Sequence, residues 1–117
     1  MRSVLNNPNT GTKSALVLLA TKGEFGTIDS VLQEVSESFS QLTKFGWRFK
    51  LLIVDDGTDE SFLHLCSELC TNYGIQLRTT SGPRRGLGAA LLFGFDLALQ
   101  DPDISYVINL DADGQHD

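Results

Sequence analysis

Short apolar runs and helically spaced apolar positions alternate along this chain of 117 residues. Ser14–Thr21 (SALVLLAT) is a continuous apolar run of the length expected for a buried parallel strand. Ile28, Val31, Leu32, Val35, Phe39 and Leu42 then recur at helical spacing, with Thr27 as a plausible cap before them. Phe49–Asp55 is a second buried strand. The turn Asp56-Gly57-Thr58-Asp59 leads from it into a helix carrying Phe62, Leu63, Cys66, Leu69, Cys70 and Tyr73 on one side. Gly74 ends that helix, and Ile75–Thr80 reads as a shorter third strand. A loop, Ser81–Gly86, precedes an apolar helix over Leu87–Leu99; Asp101-Pro102-Asp103 breaks it, and Tyr106–Leu110 is the fourth strand. Strands separated by helices of about a dozen residues imply right-handed crossovers and a parallel α/β sheet.

Length allows at most one domain. Residues 1–13 read as a flexible polar leader, and residues 14–117 as the folded unit. Hydrophobic residues make up 41% and charged residues 21%, as in an ordinary soluble globular chain. A net charge of −6 argues against a nucleic-acid partner, which would call for a basic face. No apolar run approaches the ~20 residues of a membrane span, and the leader lacks the apolar core of a secretory signal. Cys66 and Cys70 lie four apart with no second cysteine pair. They read as reduced, part-buried thiols, because His64 beside them has no further ligands spaced to complete a metal site. A reducing, cytoplasmic compartment fits.

The chemistry concentrates at strand ends, where open α/β sheets bind their ligands. The fourth strand runs into Asp111-Ala112-Asp113-Gly114-Gln115-His116-Asp117. Asp111 and Asp113 cannot both enter a core without a cation or a set of donors, and a hard divalent ion shared with a phosphate-bearing substrate explains them economically. The second strand ends in Asp55-Asp56-Gly57, which taken alone is equally a turn and helix cap. The first strand ends in Thr21-Lys22-Gly23-Glu24. Gly86 and Gly88 do not make a dinucleotide fingerprint, since that motif follows the first strand and needs a small residue where Leu91 stands. They open a helix N-terminus, with Arg84 or Arg85 either near a phosphate or equally a solvated pair before a tightly packed Gly/Ala helix. His116 is equally an exposed loop residue or a ligand.

Taken together, Val54-Asp55-Asp56-Gly57-Thr58, Gly86-Leu87-Gly88-Ala89-Ala90-Leu91 and Leu110-Asp111-Ala112-Asp113-Gly114-Gln115-His116 resemble the family-two glycosyltransferases, in the dolichyl-phosphate mannosyltransferase-like branch. The resemblance covers Ser14 to Asp117. It implies a Rossmann-like parallel sheet with helices on both faces, the N-terminal part of an A-type glycosyltransferase fold. It also implies transfer of a sugar from a GDP- or UDP-linked donor to an acceptor such as a polyprenyl phosphate. Asp111 and Asp113 would then hold Mg²⁺ or Mn²⁺ against the diphosphate. Asp56 would accept a hydrogen bond from the base with Val54 close by, and Ala112 and Gln115 would line the nucleotide. The family's Pro-x-Tyr-Asn-Glu type segment reads here Ala20-Thr21-Lys22-Gly23-Glu24, which keeps Glu24 and replaces the proline by Ala20 and the aromatic by Lys22. By the same resemblance the catalytic base and acceptor pocket lie beyond Asp117, and a full-length form would work at the cytoplasmic membrane face.

Two other readings compete. An apolar strand ending in Asp-x-Asp-Gly also resembles the nucleophile motif of haloacid-dehalogenase-type phosphatases, although Gln115 stands where that motif has Thr. A non-catalytic nucleotide-binding remnant is the other. The resemblance to the glycosyltransferases also implies that the Tyr106–Leu110 strand lies beside the first strand, with its outer edge left uncovered by a chain that stops at Asp117, an arrangement expected to favour self-association.

Overall fold

The computed structural model describes residues 2–4, 13–23, 25–57 and 60–111. Five strands and three helices follow in the order β1 (Arg2–Val4), β2 (Lys13–Thr21), α1 (Phe25–Thr43), β3 (Trp47–Asp55), α2 (Glu60–Tyr73), β4 (Leu77–Ser81), α3 (Leu87–Leu99) and β5 (Tyr106–Asp111). They form one sheet in the order β1-β5-β2-β3-β4, in which β5, β2, β3 and β4 are parallel.

The central strands are apolar on both faces because both faces are covered. Val17, Leu19, Leu51 and Ile53 pack under α1 and α2 with Ile28, Leu32, Val35, Phe62, Cys66 and Cys70. Leu16, Leu18, Leu52 and Val54 pack under α3 with Ala90 and Ala98. Fully burying a side chain of the size of Phe62, which has 0% exposure, contributes roughly 1.5–3 kcal/mol. Among the described residues, no helix is long and apolar enough to cross a membrane.

The ends of the elements have local causes. Gly74, at φ +70°, closes α2 in a double turn: its N–H donates to Thr71 O at 3.3 Å and that of Ile75 to Cys70 O at 2.9 Å. This consumes Ile75, so β4 starts at Leu77 rather than at Ile75 as the apolar pattern suggests. α1 starts at Phe25, two residues before Thr27, which therefore lies inside the helix and is not its cap. A polar link fastens α1 to α2, in which the Tyr73 hydroxyl donates to Asp29 and Gln33 Nε2 donates to the Tyr73 hydroxyl at 3.0 Å.

The N-terminal leader differs from expectation. Arg2–Val4 forms β1 and pairs antiparallel with β5, Arg2 opposite Ile108 and Val4 opposite Tyr106. β5 does lie beside β2 as expected, but β1 covers the first half of its outer edge. Three residues, of which only Val4 is apolar, carry no periodicity to announce such a short strand.

Candidate functional site

The direction of the chain across the sheet locates the site. From β2 through α1 to β3, and through α2 to β4, the chain moves one way with its helices on one face. α3 then carries it back over the other face to β5, on the far side of β2. The reversal lies between β2 and β5, and a crevice at the carboxyl ends of those strands is where such sheets bind ligands.

The register fills in that crevice. Ala20 on β2 pairs with Asp111 on β5 and with Val54 on β3, so Asp111, Ala20 and Val54 form one row across three strands. At about 4.8 Å between neighbouring strands, Asp111 and Val54 stand roughly 10 Å apart. The next row holds Thr21 and Asp55. The structure thus gathers Ala20, Val54, Asp55, Asp56 and the backbone of Asp111 at one end of the sheet. Glu24, Ala112, Asp113, Gln115 and His116 lie outside the described residues, as does the Asp111 side chain.

Asp56 is the best defined of these groups. It is 7% exposed, and its N–H donates to Thr21 O at 2.6 Å, which ties the end of β3 to the end of β2. Its carboxylate accepts the backbone N–H of Arg84 at 2.5 Å on Oδ1 and that of Gly86 at 2.9 Å on Oδ2. Asp56 therefore seats the loop that opens α3, and it places a negative charge at a helix N-terminus that has no side-chain cap of its own. The phosphate contact expected of this helix start meets a seat already taken by a carboxylate.

The loop is shaped to that end. Arg84 has φ +60°, a left-handed conformation that costs a non-glycine residue of order 1–3 kcal/mol. A β-carbon on Gly82 would come within 2.6 Å of Asp56 Oδ1, so only glycine leaves the carboxylate room. Asp55, 4% exposed, accepts Gly57 N–H on Oδ1 at 3.2 Å and Gly82 N–H on its carbonyl at 2.8 Å. Thr21 is fully buried, and its Oγ1 accepts Gly23 N–H at 2.9 Å. Thr21, Asp55 and Gly82 hold the site together without having been singled out as site residues; the signal in the chain was the polar residue that closes each apolar run.

Other candidates fall elsewhere. The Val54 side chain is fully buried, close under Gly82 and Gly94, and so belongs to the core beneath α3. Lys22 is exposed, its carbonyl lying against Gly57. Cys66 and Cys70 are free and buried while His64 is exposed, in line with the thiol reading rather than a metal half-site. Burial pushes the Cys66 thiol up to about 12, helped by the negative charge of a Cys70 thiolate and of Asp55, and it pushes Cys70 up to about 11. An apolar hollow of about 200 Å³ beneath α1, lined by Val31, Val35, Phe39 and Ile108, has no share in this polar chemistry.

With the crevice defined, comparison with known proteins decides the family. The family model described as glycosyl transferase family 2 matches residues 17–117. The chain belongs to that family. It is 30% identical over 109 residues to the polyprenol monophosphomannose synthase of Mycolicibacterium smegmatis (strain ATCC 700084 / mc(2)155), an alignment covering 90% of this chain and 37% of that relative. This chain therefore spans little more than a third of the relative it matches. Membership of glycosyl transferase family 2 replaces the phosphatase reading.

Proposed function

We propose that this chain forms the donor-binding part of a glycosyltransferase that takes a sugar from a GDP- or UDP-linked donor to an acceptor such as a polyprenyl phosphate. The single observation that carries this reading is the row Asp111–Ala20–Val54 at the point where the sheet reverses, in a chain of glycosyl transferase family 2. The name of the mycobacterial relative supports a lipid-phosphate acceptor.

In this reading the nucleotide lies across the carboxyl ends of β2, β3 and β5. Asp56 has one hydrogen bond on each carboxylate oxygen, and each oxygen retains capacity to accept another. A base N–H can thus add to the existing pair without displacing it. Ala20 and Lys22 border the base side with Glu24, and Ala112 and Gln115 follow along the nucleotide.

Asp111 and Asp113 are assigned to Mg²⁺ or Mn²⁺. Among the described residues no group of three or more His, Cys, Asp or Glu could hold a metal ion unaided. Two carboxylates at a strand end suit an ion that draws its remaining oxygens from a diphosphate and water. Such an ion, when bound, stabilises the negative charge that develops on the diphosphate as the sugar bond breaks.

Calorimetry of GDP and UDP binding, with and without Mn²⁺, tests the assignment. Binding should tighten at least about tenfold with the ion, a difference of about 1.4 kcal/mol, and Asp111→Ala should abolish the gain. Equal affinity with and without metal would remove the metal site from the proposal. Transfer of labelled sugar from each donor to polyprenyl phosphate tests the reaction itself.

A further inference from the structure

The outer surface of α3 is unlike that of the other two helices. Of its thirteen residues, LGAALLFGFDLAL, only Asp96 is charged. Leu92 is 71% and Leu99 57% exposed, and Phe95 lies half-buried between them. Positions 92, 95 and 99 follow the spacing of a single helix stripe. Gly88, one turn earlier, continues it as a notch, since a β-carbon there would meet nothing within 4 Å. Ala90, Gly94 and Ala98 form the buried side of the helix. No element among the described residues covers the stripe.

The charges at the two ends say what does. Arg84 and Arg85 are exposed at the entry to α3, and Asp103 is exposed just past its exit. Asp101 is already held by Lys50 at 3.2 Å, and Asp103 takes no part in that ion pair. The two ends of the helix are about 20 Å apart. A second α3 laid antiparallel on the first brings each arginine loop to the other copy's Asp103, twice over by symmetry, and sets the helix dipoles in opposition. A parallel arrangement would set arginine against arginine. A lipid bilayer is a poorer match, because helices that lie on membranes carry Lys and Arg along their polar side; α3 has neither, and the chain has net charge −6.

We infer that the stripe of Leu92, Phe95 and Leu99 is an interface between two copies of the chain, packed antiparallel about a two-fold axis that passes between Leu92 and Phe95. Such an interface is self-complementary. Leu92 of one copy meets Phe95 of the other, and Leu99 enters the notch at Gly88. The apolar stripe itself is distinct from the donor crevice at the carboxyl ends of the strands, and the Arg84-Arg85 loop that Asp56 seats joins the two.

Sedimentation equilibrium of the whole chain across the micromolar range tests this. The wild type should dimerise, and the double variant Leu92→Gln/Leu99→Gln should be monomeric while keeping its melting temperature in dilute solution, since both side chains are exposed. Arg85→Glu and Asp103→Lys should each weaken the dimer several-fold, and combining them should restore it, because each copy then offers the reversed pair. A monomeric wild type would overturn the inference, as would a dimer indifferent to the leucine substitutions or a charge swap that fails to restore association. Flotation with phosphatidylcholine–phosphatidylglycerol vesicles provides the other arm. Vesicle binding by a monomeric wild type, lost in the leucine variant, would assign the stripe to a lipid surface and refute the dimer.

Discussion

The two faces of the sheet are packed by different means. On one, α1 and α2 bring large side chains (Ile28, Leu32, Phe62) down onto β2 and β3, and fill the space between helix and sheet with bulk. On the other, α3 presents Ala90, Gly94 and Ala98, and its backbone lies almost on the strands. A β-carbon on Gly94 would overlap the Leu18 side chain and stand 3.0 Å from Val54 Cγ2. The close approach has a purpose at the site. Only a helix lying this low brings the backbone N–H groups of Arg84 and Gly86 to a carboxylate at the end of β3. Bulk gives stability on the first face; small residues give position on the second.

Substitutions on each face should sharpen that contrast. The largest effect is expected from Phe62→Ala, which empties the centre of the first face and should remove about 3–5 kcal/mol from the unfolding free energy in urea. A loss below about 1 kcal/mol would mean that α2 is not seated as described. On the second face Asp56→Asn keeps the shape of the side chain but sets an amide N–H₂ against a backbone donor, with an expected cost of about 1.5–3 kcal/mol. Thermal melting and nucleotide titration together separate its two roles. A lower melting temperature with unchanged nucleotide affinity would confine Asp56 to holding the loop.

Gly94→Ala should destabilise by about 1–3 kcal/mol through overpacking. Gly88→Ala, six residues earlier on the same helix, should stabilise dilute protein by roughly 0.4–1 kcal/mol, because the site is open and the unfolded chain loses freedom. Equal effects at the two glycines would contradict the close seating of α3.

Cys66 supplies a pH-dependent test of the first face. Its thiol is raised from 9.0 to about 12, so its contribution to stability is fully present below pH 9 and is lost as pH rises towards 12. The unfolding free energy of wild type should fall over that window more steeply than that of Cys66→Ala. Parallel curves would show that the thiol is not held in a dry environment.

Much of this architecture was legible in the chain because the signals are local. The apolar run at Leu16–Leu19 and the 3.6-residue recurrence from Ile28 onward depend on neighbours alone, and α3 occupies Leu87–Leu99 as its pattern indicates. β2 and β3 start one and two residues earlier than their apolar cores, at Lys13 and Trp47, because pairing continues past the point where burial ends. The site was legible as a set of strand ends but not as a set of bonds. That Asp56 should bond to Arg84 and Gly86, rather than cap the helix next to it, depends on how low α3 lies, and hence on Gly94 and Ala90 meeting Leu18 and Val54. No window of neighbouring residues contains that information.

The place of β2 in the sheet has a consequence for how the protein is made. β2 is the most deeply buried strand and pairs with β3 on one side and with β5 on the other. β3 is synthesised soon afterwards, but β5 starts at Tyr106, roughly 85 residues after Thr21, on the order of ten seconds at the usual pace of translation. During that interval one edge of an apolar strand waits on the ribosome with its hydrogen-bonding groups unpaired. The nascent chain therefore passes through a window of exposure set by topology, and slower translation between β4 and β5 lengthens it in proportion.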